Sequence, residues 1–217
     1  MFRLLAISSL LLAAASTLPA AAVVYQNTTT DTGNAFQFGA NPFTQIGDQI
    51  ALAGTDRVAV SSFVQLFNDG NAGTVDVILR LFQVGLPVGA QIGSDFVRTG
   101  VAAPALSDPS GGVFNVSFNL PGVLVPDNLV FTVEVTNPSA GVDIFGVDMF
   151  EPPTVGSSDN TFAIGYDGTN FVQQGTPNQN VFFELDATAP EPATFGCSFV
   201  AFFVAFLLNR HVRSAAR

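Results

Sequence analysis

Apolar and polar residues alternate with a period of two through most of the middle of the chain. The cleanest case is Val113 to Leu120, where Phe114, Val116, Phe118 and Leu120 share one face and Asn115, Ser117 and Asn119 the other. That period predicts a half-buried strand with Phe118 inward and Ser117 outward. Leu129 to Val135 repeats it, setting Leu129, Phe131, Val133 and Val135 against Val130, Thr132 and Glu134. Val58 to Phe67 carries apolar residues on both parities, and Thr74 to Phe82 puts Val75, Val77, Leu79 and Leu81 on one face. Between these two runs, Asn68-Asp69-Gly70-Asn71 has the chemistry of a tight turn, so they are expected to pair as a hairpin. Ile144 to Phe150, a second hairpin from Phe162 to Val172 about Asp167-Gly168, and Val181 to Leu185 add further strands. Tyr25 to Gly39 starts polar and alternates only towards Phe36 and Phe38. Asn41-Pro42, Gly47-Asp48 and Gly54-Thr55-Asp56 read as turns, Gly85 to Gly112 as a glycine- and proline-rich connection, and Ser157 to Asn160 as a polar loop. No window in this region has a helical period. Eight or nine short strands with turns between them predict an all-β fold, an antiparallel β-sandwich of jelly-roll-like form.

The two ends of the chain follow other patterns. Arg3 precedes an apolar stretch from Leu4 to Ala15, and Pro19-Ala20-Ala21-Ala22 closes it with small residues; this is the build of a secretory signal, with the cut expected after Ala22. At the far end, Pro190-Glu191-Pro192 is followed by an uncharged run from Ala193 to Leu208 and a tail carrying Arg210, His211, Arg213 and Arg217. Sixteen helical residues span roughly 24 Å, short of a hydrocarbon core of about 30 Å, a difference that thinning and snorkelling arginines accommodate. Arginines directly after the run favour a membrane segment over a buried core helix, with the arginines as stop-transfer signal on the cytoplasmic side. Pro192 suits a first helical position, and the two prolines hold Ala189 and Glu191 extended. A stiff, uncovered strip of this kind is what a processing enzyme can bind.

This order of parts resembles the PEP-CTERM sorting domain. Pro190-Glu191-Pro192-Ala193-Thr194 matches its opening, and Arg210, Arg213 and Arg217 match its basic end. The resemblance implies recognition by an integral-membrane exosortase in Gram-negative bacteria that make extracellular polysaccharide. It implies delivery to the cell surface or matrix, and biofilm as the setting. The segments Gly47 to Thr55 and Glu151 to Ser158 also look like patches that recur in exported domains attached to such tails. The chain therefore divides into residues 1–22 as signal peptide, 23–189 as the exported sandwich, and 190–217 as the sorting tail.

Composition narrows what the exported part does. Between Val23 and Ala189 there are three arginines, no lysine and sixteen acids, a formal charge of −13. Such a surface repels nucleic acid and keeps a secreted domain soluble. Sixteen phenylalanines in the same stretch exclude a disordered acidic region. The single cysteine, Cys197, and the single histidine, His211, both fall in the tail. The exported part thus lacks His, Cys and Lys, which removes Ser-His-Asp, Cys-His and Schiff-base catalysis and the usual zinc, copper and iron ligands. Carboxylate pairs remain, as in glycoside hydrolysis, but none stands in a recognisable motif. A sugar platform of exposed Trp or Tyr is not available, since there is no Trp and the exported part has only Tyr25 and Tyr166. Calcium would suit Asp69, Asn71, Asp159 and Asn160, though such side chains ordinarily cap turns.

The reading that follows is a non-enzymatic exported protein with no cofactor, whose partners are the membrane, an exosortase-like enzyme and extracellular polysaccharide. The alternatives are a permanently anchored single-span protein and a carbohydrate-active enzyme that works with carboxylates alone.

Overall fold

The computed structural model describes residues 20–38, 43–85, 89–158, 163–167, 169–174 and 180–189. Ala21–Ala189 is one compact unit. It contains β1 (Ala22–Asn27), β2 (Asp31–Gln37), β3 (Gln45–Ala51), β4 (Val58–Asn68), β5 (Gly73–Gln83), β6 (Gln91–Ala103) and β7 (Val113–Leu124). β8 (Asn128–Thr136), β9 (Ile144–Phe150), β10 (Ser157–Ser158), β11 (Ala163–Tyr166), β12 (Phe171–Gln174), β13 (Asn180–Val181) and β14 (Phe183–Thr188) follow. These strands form two antiparallel seven-stranded sheets, a β-sandwich. The first sheet runs β1-β14-β4-β9-β13, with β7 on the other edge of β4 and β2 on β9; the second runs β12-β11-β3-β8-β5-β6, with β10 on β3.

One continuous apolar core lies between the sheets. Val64, Leu66, Val116, Phe118, Phe183 and Leu185 come from the first sheet, and Ile46, Ile50, Leu79, Leu81, Phe131 and Val133 from the second. At its centre the rings of Phe131 and Phe183 stack, with centroids 3.8 Å apart and planes at 11°. The predicted alternation of β7 holds: Val116, Phe118 and Leu120 are buried and Asn115, Ser117 and Asn119 exposed. β8 departs from its predicted alternation because the outer face of the second sheet is also covered. There Phe82, Val130 and Ile164 form a second apolar cluster with Phe171. Thr132, expected outward and tolerant of change, faces outward but is fully buried, and its hydroxyl donates to Gln45 Oε1 at 2.9 Å.

The hairpin expected from Val58 to Phe82 does not form. β4 belongs to the first sheet and β5 to the second, so the turn at 68–72 is a corner between sheets. Asn68, fully buried, makes the corner. Its Nδ2 donates to the carbonyls of Asn71 (2.9 Å) and Pro104 (2.7 Å), and its Oδ1 accepts from the amides of Gly70 and Asp143, both at 3.0 Å. Four bonds from one side chain hold three segments together and replace the ladder that a hairpin would have supplied.

Two strands stand where turns were expected. Gly47-Asp48 lies inside β3, where Gly47 pairs with Thr132 and lets the strands approach. Gly85 to Gly112 contains β6, of which Ile92, Phe96, Val101 and Ala103 turn towards the core at uneven spacing while most of its other residues are exposed, so no regular alternation can be read. It is an edge strand broken by bulges at Gly93 and Gly100, both at positive φ (74° and 63°), which blunt it as a template for another chain. Ser157–Ser158 of the expected polar loop forms β10. The hairpin about Asp167 does form, as β11 and β12. Val181 to Leu185 is split at Phe182, whose amide bonds Asp148 O while the chain crosses from β9 to β4.

Candidate functional site

Pro190, Glu191 and Pro192, expected to be a sorting motif, and Arg210, Arg213 and Arg217, expected to stop transfer, lie outside the described residues, as do Asp159 and Asn160. Ala22 is the exposed first residue of β1 and pairs with Ala187. Cutting after Ala22 would remove that one pair and keep Val23 opposite Asp186. The start of β1 and the end of β14 are therefore neighbours in an antiparallel ladder, and both chain ends leave the sandwich at one place.

That end is tightly knit around Arg57. Its guanidinium donates to the carbonyls of Ala53 (3.2 Å), Gly54 (2.9 Å) and Asp56 (2.7 Å), and pairs with Asp127 at 2.7 Å. The Arg57 amide bonds Thr188 O at 3.2 Å, the Arg57 carbonyl accepts from Val125 at 2.9 Å, and Leu52 N donates to Asp127 O at 2.8 Å. One side chain, only 13% exposed, thus ties the β3–β4 connection to the β7–β8 connection, and the backbone amide of the same residue holds the end of β14 at Thr188. No sequence motif pointed to Arg57. The available sign was a lone arginine after Gly54-Thr55-Asp56, a turn with carbonyls to satisfy.

The segments Gly47 to Thr55 and Glu151 to Ser158 meet beside it. Ser157 and Ser158 pair with Ala51 and Ile50, and Ser158 Oγ lies 3.1 Å from Asp48 Oδ2 and 2.9 Å from Gln49 O. Thr154 N donates to Gln26 O at 2.8 Å, which lays the second segment along β1. Beneath them Tyr25 is fully buried, its hydroxyl pKa pushed up by burial first and by the Asp48 carboxylate second. Asp48, also fully buried, accepts the Gln49 amide at 2.7 Å. Tyr25 and Asp48 are closed to solvent. The chemistry of the cluster is that of a joint between three segments.

The exposed acids are mostly engaged. Arg80 holds Asp95 through two bonds of 2.9 Å and also pairs with Glu134; the Arg80 bond holds the Asp95 carboxyl below its ordinary pKa. Asp76 is likewise lowered, by bonds from Asn137 and the Gly100 amide. Asp69 and Asn71 sit in the exposed corner after β4, with their backbones bonded to Asp143 O and Gly141 O. Among the described residues no three His, Cys, Asp or Glu side chains are grouped to hold a metal, and no helix is long and apolar enough to cross a membrane.

Among the described residues two carboxyls move the other way, both chiefly through burial: Glu184 and Asp148. Asp148 is half-buried on β9, and its pKa is raised from 3.8 to about 6 by burial and then by Asp31. The folded chain therefore protonates more readily than the unfolded one. The stability this group confers is present at pH 4 and lost as pH rises towards 6. Asp148→Asn is expected to stabilise the domain at pH 7.5 by about 1 kcal/mol, after discounting for partial exposure, and to lose most of that advantage at pH 4. Melting curves of both proteins at the two pH values check this. A parent more stable than the variant at pH 7.5 would show that the charged carboxylate has a partner.

No protein-family model, no curated protein and no solved structure matches the chain.

Proposed function

We propose that this is a non-enzymatic exported protein whose jelly-roll sandwich is carried to the cell surface or polysaccharide matrix by its C-terminal tail. An exosortase-like membrane enzyme would recognise Pro190-Glu191-Pro192 while Ala193 to Leu208 holds the chain in the bilayer. One observation carries this reading: the exported unit begins and ends on paired strands, Ala22 opposite Ala187. A signal before β1 and an anchor after β14 then act on one end of the domain, leaving the other free. The strand orders 1-14-4-7 and 3-8-5-6 are those of two interleaved Greek keys, which supports the jelly-roll assignment.

Reordering Pro190-Glu191-Pro192 keeps the apolar run and the arginines. Such a variant is expected to accumulate as full-length membrane protein, whereas removal of Arg210, Arg213 and Arg217 should release part of the chain unprocessed and soluble. Intact mass of each cell fraction reads both outcomes. A reordered variant that is still shortened and delivered would replace sorting by permanent anchoring through a single span. The reading as a carboxylate enzyme draws on the Asp31–Asp148 pair alone. Its test is glycan cleavage that is abolished in Asp148→Asn.

A further inference from the structure

We infer that the end of the sandwich from which both chain ends depart rests on the headgroup layer of the bilayer that holds the tail. This inference rests on the anchored reading above. Among the described residues five large apolar side chains stay exposed, and three of them, Val23, Val84 and Leu124, lie at this end. Leu124, 66% exposed, closes β7 opposite Val58; Val23 stands opposite Asp186; Val84 follows Gln83, which pairs with Leu129. Uncovered apolar side chains gathered at one end of an otherwise acidic domain mark a contact surface.

The length of the connection says what covers it. The described chain ends at Ala189 and the apolar run opens at Ala193, four residues on. Four extended residues reach at most about 14 Å, and the headgroup layer itself is about 5–8 Å deep. The end carrying Leu124 and Val84 is thus tethered within reach of the interface, where valine and leucine bury apolar area. Charge selects the lipid. Arg57 is turned in upon loop carbonyls and pairs with Asp127 at 2.7 Å, so the cation of this end is spent although the Asp127 side chain is 79% exposed. Asp127 also lines an open recess of about 420 Å³ with Gln83, Val84, Pro126 and Asn128. The formal charge of −13 between Val23 and Ala189 repels an anionic lipid and leaves a zwitterionic one as the surface this end can meet.

The test uses the full chain in bilayers of zwitterionic phospholipid, in a Cys197→Ser background. Single cysteines at Leu124→Cys and Val84→Cys carry an environment-sensitive dye, and Leu106→Cys is the comparison. Leu106 is 47% exposed, and its amide bonds Gly70 just beyond the far end of β4, about 33 Å of strand away from Val58. Nitroxide lipids labelled at the headgroup are expected to quench the dye at Leu124 and Val84 at least about twofold more than at Leu106, because only the former reach that layer. Equal quenching at all three positions overturns the inference. So does a dye at Leu124 that shifts to the blue without quenching, the mark of a second copy on this surface. Labelling the unsubstituted chain at Cys197 separates this inference from the anchored reading. Deep nitroxides that quench at Cys197, with none effective at Leu124, leave the anchor and remove the contact; no quenching at Cys197 removes both.

Discussion

Alanine at Gly47 is expected to leave no folded protein. A methyl group built there falls 1.7 Å from the carbonyl oxygen of Phe131 and 2.8 Å from the Cα of Thr132. Both are backbone atoms of β8, the partner of β3 in the middle of the second sheet, so no side chain can turn aside to make room. Relief requires β3 to move away from β8, breaking ladder bonds on either side of Gly47 and opening the core at Ile46 and Ile50. The expected loss exceeds about 4 kcal/mol, the range reserved for strain with no outlet. Were Gly47 the turn residue that its sequence context suggests, alanine would cost roughly 1 kcal/mol or less. Circular dichroism and a thermal melt of Gly47→Ala decide between these; a cooperative melt within a few degrees of the parent would place Gly47 outside the sheet.

Phe131→Ala is expected to cost about 3–5 kcal/mol, the loss of a fully buried aromatic and the cavity it leaves. Its ring is stacked on Phe183 from the opposite sheet, so the substitution also removes the contact that ties the two layers at their centre. Two neighbours give the scale. Ser117→Ala, on the exposed face of β7, should change little. Thr132→Ala should fall between, about 1–2 kcal/mol, because it removes a buried hydroxyl and strands Gln45 Oε1. Urea midpoints should therefore rank Ser117, Thr132 and Phe131 in rising order of damage. Equal tolerance at Thr132 and Ser117 would show that the outer face of the second sheet is bare.

Comparing these positions shows what alternation can and cannot carry. β7 is legible because it is an edge strand with one wet face, so burial and polarity coincide residue by residue. β8 has Val130 and Thr132 buried on its outer side, where Val130 packs in a cluster with Phe82, Ile164 and Phe171, partners far away in sequence, and Thr132 bonds Gln45. β6 fails for another reason: bulges at Gly93 and Gly100 put its core-facing residues Ile92, Phe96 and Val101 out of a period of two. The period of two also says that Val58 to Phe67 and Thr74 to Phe82 are strands without saying with which strands they pair. Their separation into two sheets depends on Asn68, whose partners Pro104 and Asp143 are 36 and 75 residues away. Gly47 and Asp48 look like a turn because a tight strand crossing and a turn both call for small or polar residues. The expected signal and tail are linear patterns, and all of them but residues 20–22 lie outside the described residues. Arg57, which organises the end of the sandwich where β14 stops, works through carbonyls that only the folded loops bring together.

The placing of β14 sets the order in which this protein can become whole. It lies between β1 and β4, bonded to both, although β1 is the first strand made and β14 the last. Until residues 183–188 have emerged, β1 has no strand partner in its ladder and β4 lacks its neighbour along Val58 to Val64. An unfinished chain therefore carries a gap down its first sheet, with open strand edges that proteases and other chains can enter. The residues that close the gap end immediately before Pro190. Completion of the sheet and arrival of the tail are consequently one event in time. A chain cut short anywhere before β14 has no sealed fold and, on the proposed reading, no address either.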